Sequence, residues 1–301
     1  MAHKHFFRRH EGRKSYDLFS TYSHFLPNMR GMLMLFVMFL IGALLGNLIV
    51  GALTLTLSSQ FASVYGTVIS YPLMFVPPML YASYKSRKAE LSSWAEDGSP
   101  LAGIPLDSNN FGPLGGCRLA LIASVATIAA AFVAEPINTL LPEMPEILKK
   151  AMEQLTEGPL WVSLLSVSVF APLFEEWLCW GLVLRGLLHK MNPTSAIMVS
   201  AAFFAILHMN PWQAIPAFIL GLLFGYVYYK TGSLKLTMLM HCVNNTLAVI
   251  CSHIPSLAEA ETFMDVMSPW AYACIYAACI LFLTAAVITL RGIQTAKPRE
   301  I

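Results

Sequence analysis

Charge is what this sequence has least of. Only 12% of its 301 residues are Asp, Glu, Lys or Arg, where a soluble domain carries about a quarter. An ordinary water-soluble globule is thereby excluded, and no nucleic-acid partner is expected. Paired cysteines are also missing. Cys117, Cys179, Cys242, Cys251, Cys274 and Cys279 fall mostly in apolar runs without a CxxC pair. They read as small buried hydrophobes, not as a disulfide frame or a zinc knuckle. No internal repeat and no β-barrel alternation are evident. The polar stretch ahead of the first apolar run is too long for a cleaved signal peptide.

What remains is apolar. Hydrophobic residues make up 56% of the chain and the mean hydropathy is +0.61. Apolar stretches long enough to cross a bilayer recur, each a candidate transmembrane helix. The expected fold is all-α, a polytopic transmembrane bundle of about eight spans near 32–57, 64–83, 118–137, 160–188, 195–209, 212–229, 234–254 and 270–290. Pro72, Pro77 and Pro78 are expected to bend the second span. A short surface helix is expected in PEMPEILKKAMEQLTEG. The organisation reads as a basic N-terminal tail (1–31), a transmembrane domain (32–291) with its motif core at 160–250, and a C-terminal tail (292–301). The tail HKHFFRRHEGRK, Lys85, Arg87 and Lys88, then Arg185 and Lys190, Lys230 and Lys235, and finally Arg291, Lys297 and Arg299 fall at alternate junctions. The loop after the seventh span is acidic, with Glu259, Glu261 and Asp265. By the positive-inside rule, both termini are expected to be cytoplasmic.

Against that background, a few polar groups stand inside the spans. They are Glu175 and Glu176 in the fourth, His208 in the fifth, and His241, Asn244 and Asn245 in the seventh. An ionisable group at the bilayer centre costs ~3 kcal/mol or more, so it is a functional hypothesis by default. A hydrogen-bonded structural network is the plainer alternative. Two acids, two histidines and amides on three neighbouring spans favour a site. Adjacent helical residues point about 100° apart. One glutamate can therefore face a reaction centre while the other holds a neighbouring helix. His241 and Asn245 are four residues apart and share a face, as do Phe204 and His208. A carboxylate with a histidine can activate water. A second histidine and an amide can stabilise an oxyanion. The same side chains could hold zinc, although no HExxH fixes that geometry on one helix. Cys179 and Cys242 neighbour these residues in sequence but point elsewhere.

The motifs EEWLCWG at 175–181, FAILH at 204–208 and HCVNN at 241–245, with YYKTGSLKLTMLMHCVNN leading into the last, resemble the CPBP intramembrane endopeptidases. This family comprises CaaX prenyl proteases and the bacteriocin-processing or self-immunity proteins also called Abi. The resemblance implies an eight-helix membrane fold with a cavity open to cytosol and bilayer. It implies Glu175 as the base that activates water with help from His208, His241 and Asn245 as oxyanion donors, and Glu176 as a positioning group. No cofactor is expected to be required; the alternative is zinc on Glu175, His208 and His241. The implied substrate is a membrane-associated peptide or protein, and the implied setting is the lipid bilayer of a bacterial inner (plasma) membrane. One position departs from the family pattern EExxxR: Trp180 stands where the arginine belongs. Arg185, nine residues beyond Glu176, is ~13 Å of helix rise away. Glu176 is therefore expected to be neutral or paired with a donor from another helix. The departure keeps a second function open, a non-catalytic membrane scaffold or self-immunity protein. A proton- or metal-coupled transporter lacks the broken helices and inverted repeats it would need.

Overall fold

The computed structural model describes residues 19–93, 101–156, 158–258, 260 and 262–295. Helices and turns account for the structure, and no strand occurs among the described residues. Helix α1 (Met29–Thr56) and α2 (Ser59–Ser92) form an antiparallel hairpin. The Asn28 side chain accepts from the Gly31 amide at 3.0 Å to start α1, and Ser58 caps α2 in the same way through the Phe61 amide. Their crossing is tight: a Cβ on Gly42 would lie 2.1 Å from the Met74 carbonyl oxygen. Helix α3 (Gly115–Ala134) runs on into a 3₁₀ segment, Glu135–Leu140. Helix α4 (Glu146–Thr156) is the short amphipathic helix that its sequence predicts. Then follow α5 (Leu160–Leu187), α6 (Pro193–Leu207), α7 (Pro211–Thr231), α8 (Leu234–Ser252) and α9 (Pro269–Arg291). Prolines open α6, α7 and α9, where a missing N–H costs nothing.

Each of the eight expected spans is a helix. Among the described residues, six helical segments are apolar enough, by length and composition, to cross a membrane: α1, Gly112–Ile137, α5, α7, α8 and α9. Helix α2 carries Lys85, Arg87 and Lys88 in its second half. Helix α6, with 15 residues, is only ~22 Å long, short of the ~30 Å hydrocarbon core. The protein is thus a multi-pass helical bundle. Its centre is α5, which packs against α2, α6, α7 and α8.

The two ends of the bundle differ in charge. Asn110 reaches the Lys230 and Gln294 carbonyls, the Lys230 ammonium reaches the Arg291 carbonyl, and Asp107 pairs with Lys235 at 2.9 Å. These contacts gather Lys85, Arg87, Lys88, Arg118, Arg185, Lys190, Lys230, Lys235 and Arg291 at one end, with Arg30 at the start of α1. At the other end the Trp212 indole donates to the Pro142 carbonyl, and Glu135 accepts from the Phe263 amide and the Tyr272 hydroxyl. That end holds Glu135, Glu143, Glu146, Glu153 and Asp265. Lys149 and Lys150 are its only cations among the described residues. Glu259 and Glu261, which the sequence places there, lie outside the described residues, as do positions 1–18.

Two expectations change. All six cysteines are free, but only Cys179 is buried; Cys117 and Cys274 are exposed and the others partly so. In a bilayer, lipid solvates a thiol face as readily as a protein core does, so an apolar run does not imply burial. Residues 19–28, expected as part of a tail, pack beneath the bundle. The Tyr22 ring meets Trp177 edge-on at 5.1 Å, and Phe25 meets Tyr81 at 5.8 Å. Arg185, fully buried, secures this strap. Its guanidinium donates to the carbonyls of Tyr22 (2.9 Å), Ser23 (3.1 Å) and Phe25 (2.8 Å), to Ile104, and to Gly181 on its own helix (2.8 Å). The strap lies directly on α5 at Gly186, where a Cβ would come 2.3 Å from the Pro27 carbonyl oxygen.

Candidate active site

Helix α5 is not wound uniformly. Leu164–Phe170 and Trp177–Leu184 are π-helical, and the α-helical stretch between them, Ala171–Glu176, ends on the two glutamates. Such wide turns recur at functional sites because they offset the backbone ladder and re-aim side chains. Here each π stretch also offers a carbonyl to a neighbouring helix. Val167 accepts from the Asn245 amide of α8 at 2.8 Å, and Cys179 accepts from the Ser200 hydroxyl of α6 at 2.9 Å. Asn245 therefore tethers α8 to α5, with its Oδ1 accepting from Asn244 at 3.0 Å.

The adjacent glutamates diverge as the helical angle requires. Glu176 is fully buried, and its Oε1 accepts from Nδ1 of His241 on α8 at 2.9 Å. Glu175 is 9% exposed, and its Oε1 accepts from the Tyr71 hydroxyl of α2. The second oxygen of each carboxyl, Oε2, is buried and has no partner among the described residues. Two carboxyl groups thus share one helical turn, each fixed by one oxygen from a different helix and each keeping one oxygen for another bond.

Phe204 joins the remaining motifs. Its ring lies edge-on to His208 at 5.1 Å and to His241 at 5.6 Å, and Phe224 flanks His241 at 5.9 Å. His208 follows the last residue of α6. Its Nδ1 donates to the Phe204 carbonyl at 3.0 Å. Both histidines thus commit Nδ1 to an oxygen acceptor, which leaves Nε2 to face other chemistry. Next to His208, Met209 holds a left-handed backbone at φ 50°, strain of the kind that surrounding structure must hold in place. It turns the chain sharply into Asn210, whose side chain caps α7 through the Trp212 amide at 3.1 Å.

Trp180, at the family's arginine position, is fully buried against Phe204 (5.8 Å) and beside Gly225. Glu176 is accordingly held by His241, a donor from another helix, and Arg185 turns to the strap. Tyr71 and Phe224 were missed in the sequence. A tyrosine hydroxyl far from the ends of a long apolar helix was the available signal, since tyrosines otherwise favour the membrane interface. Glu175, His208 and His241 do not form a metal cage. No three His, Cys, Asp or Glu side chains among the described residues come close enough to hold one ion.

The comparisons with known proteins fall on this same region. The family model described as type II CAAX prenyl endopeptidase Rce1-like matches residues 157–247, which contain all three motifs. No curated protein and no solved structure matches the chain.

Proposed function

We propose that the chain is a CPBP-type intramembrane endopeptidase, a reading supported by the match of residues 157–247 to the Rce1-like family model, and that it hydrolyses a peptide bond in a membrane-associated substrate with water activated by Glu175. One observation carries the reading: the Glu176–His241 contact, 2.9 Å long, with Phe204 against both histidines, ties the three motifs into one cluster. Tyr71 fixes one oxygen of Glu175, and the other is left to take a proton from water. Glu176 takes the Nδ1–H of His241, so Nε2 carries a proton only when His241 is the imidazolium, whose charge the Glu176 carboxylate balances; in that state Nε2–H can meet a developing oxyanion. The spare N–H of Asn245 serves the same oxyanion, and His208 assists the water through Nε2. No step runs through a metal. The substrate is a peptide or protein within the membrane, cleaved from the basic end, which faces the cytoplasm of a bacterial inner membrane.

Replacing Glu175 with Ala tests the assignment. Turnover of a membrane peptide by the purified protein is expected to fall by about 10²–10⁴-fold, and a chelator is expected to leave wild-type turnover unchanged. Full activity in the variant ends the proposal, and chelator-sensitive activity with stoichiometric bound metal ends its metal-free form. Trp180 favours the second reading, a scaffold or self-immunity protein, under which the Glu175 variant keeps the cellular phenotype. The substitution Trp180→Arg separates the two. It puts an unpaired cation into an apolar cage and is expected to lower both folded yield and turnover. A gain in turnover would instead mark the natural chain as an impaired member of the family.

A further inference from the structure

A cavity of ≈ 390 Å³ opens between the strap and the hairpin of α1 and α2 at the basic end, apart from the motif cluster. Its size falls within the ordinary range for small ligands. Arg30 and Lys85 line it, with Phe25, Asn28, Met34 and Tyr81, and no carboxylate does. Neither cation forms an ion pair among the described residues, where the ion pairs are Lys235–Asp107 and His241–Glu176. Lys85 lies over the Tyr81 ring at 5.9 Å. Asn28 occupies the Gly31 and Met32 amides. The first amides of α1 are left pointing out of the helix N-terminus, the polarity that suits an anion.

We propose that this cavity binds the phosphate headgroup of an anionic phospholipid from the leaflet at the basic end. Two unpaired cations and a helix N-terminus converge on one volume, and basic pockets between transmembrane helices recognise such headgroups. The wall distinguishes a lipid from a free anion. Met34 is 42% exposed, and Leu33 and Val37 continue an exposed apolar face up α1 along which an acyl chain can lie. The headgroup also touches Phe25 and Asn28 of the strap that Arg185 secures, so the lipid pins the strap from outside as Arg185 does from within.

The test is binding by the full chain in detergent, read by native mass spectrometry and by thermal unfolding, with phosphatidylglycerol, phosphatidylcholine and inorganic phosphate as separate probes. Phosphatidylglycerol is expected to bind saturably and raise the unfolding midpoint. The double variant Arg30→Gln/Lys85→Gln is expected to weaken that binding roughly 30-fold, since each cation near a membrane surface is worth about fivefold. Lys85→Gln alone, the variant to use if the double one does not fold, is expected to weaken it about fivefold. Equal binding of phosphatidylcholine, unchanged binding by both variants, or displacement of the lipid by millimolar inorganic phosphate would each overturn the proposal. The readout is binding, so loss of proteolytic activity and loss of the lipid site are separately visible.

Discussion

Helices α5 and α9 invert the rule that holds in water. The membrane-length segment of α9 has a mean hydropathy of 2.4 and is 11% buried, whereas that of α5 has 1.4 and is 72% buried. In a soluble protein the more apolar helix would lie inside. In lipid, apolar surface gains nothing by turning inward, and helices associate through packing and hydrogen bonds. Helix α5 is drawn to the centre by Glu175, Glu176, Arg185 and the carbonyls of its π stretches, all of which need protein partners. Helix α9 has few such obligations and stays at the rim, with Tyr272 as its main polar anchor. Polar need, more than hydropathy, sorts core from periphery here.

That contrast can be broken by experiment. The largest effect is expected from His241→Ala, which strands Glu176 inside α5: about 3–5 kcal/mol of stability, measured by unfolding in mixed detergent. A loss under about 1 kcal/mol would mean that burial of α5 does not depend on its polar partners. Next comes Tyr71→Phe, which keeps the ring and removes the donor to Glu175. A buried hydrogen bond left unmade costs about 1–3 kcal/mol, and because it orients Glu175, turnover is expected to fall by roughly tenfold to a hundredfold beyond any loss of folded protein. If stability falls instead and turnover holds, Tyr71 is a structural tie between α2 and α5. The smallest effect belongs to α9. Leu281 is 71% exposed, and Leu281→Ala is expected to shift stability by no more than about 0.5 kcal/mol. A larger loss would show that α9 buries this face against another molecule.

The sequence disclosed the helices because apolar length is written locally: all eight expected segments are helical, and all but the second, which runs nine residues past its expected end, have ends within a few residues of those inferred. It also disclosed the end-to-end charge difference, and it singled out Glu175, Glu176, His208, His241 and Asn245, since a polar group in an apolar run stands out. Partners were harder. Nothing near Tyr71 in SYPLMF points to a carboxyl more than a hundred residues away. Arg185 looked like a flanking cation, and its five carbonyl acceptors come from segments whose folding it helps decide. The strap at residues 19–28 reads as the end of a basic tail until Tyr22 and Phe25 find Trp177 and Tyr81. The π turns leave no compositional trace, because neighbours holding the Val167 and Cys179 carbonyls select them.

Those two wide turns also affect the phase of α5. Each adds about one residue to the α register, and one residue is about 100° of rotation. A stripe drawn along the helix before Leu164 therefore emerges after Leu184 on roughly the opposite side. The helix can show Trp161 and Val169 to lipid early on and yet be enclosed on every side from Glu175 to Leu188. Deleting a single residue within either π stretch would leave length and composition almost untouched while swinging one half of the helix a quarter-turn away from its neighbours.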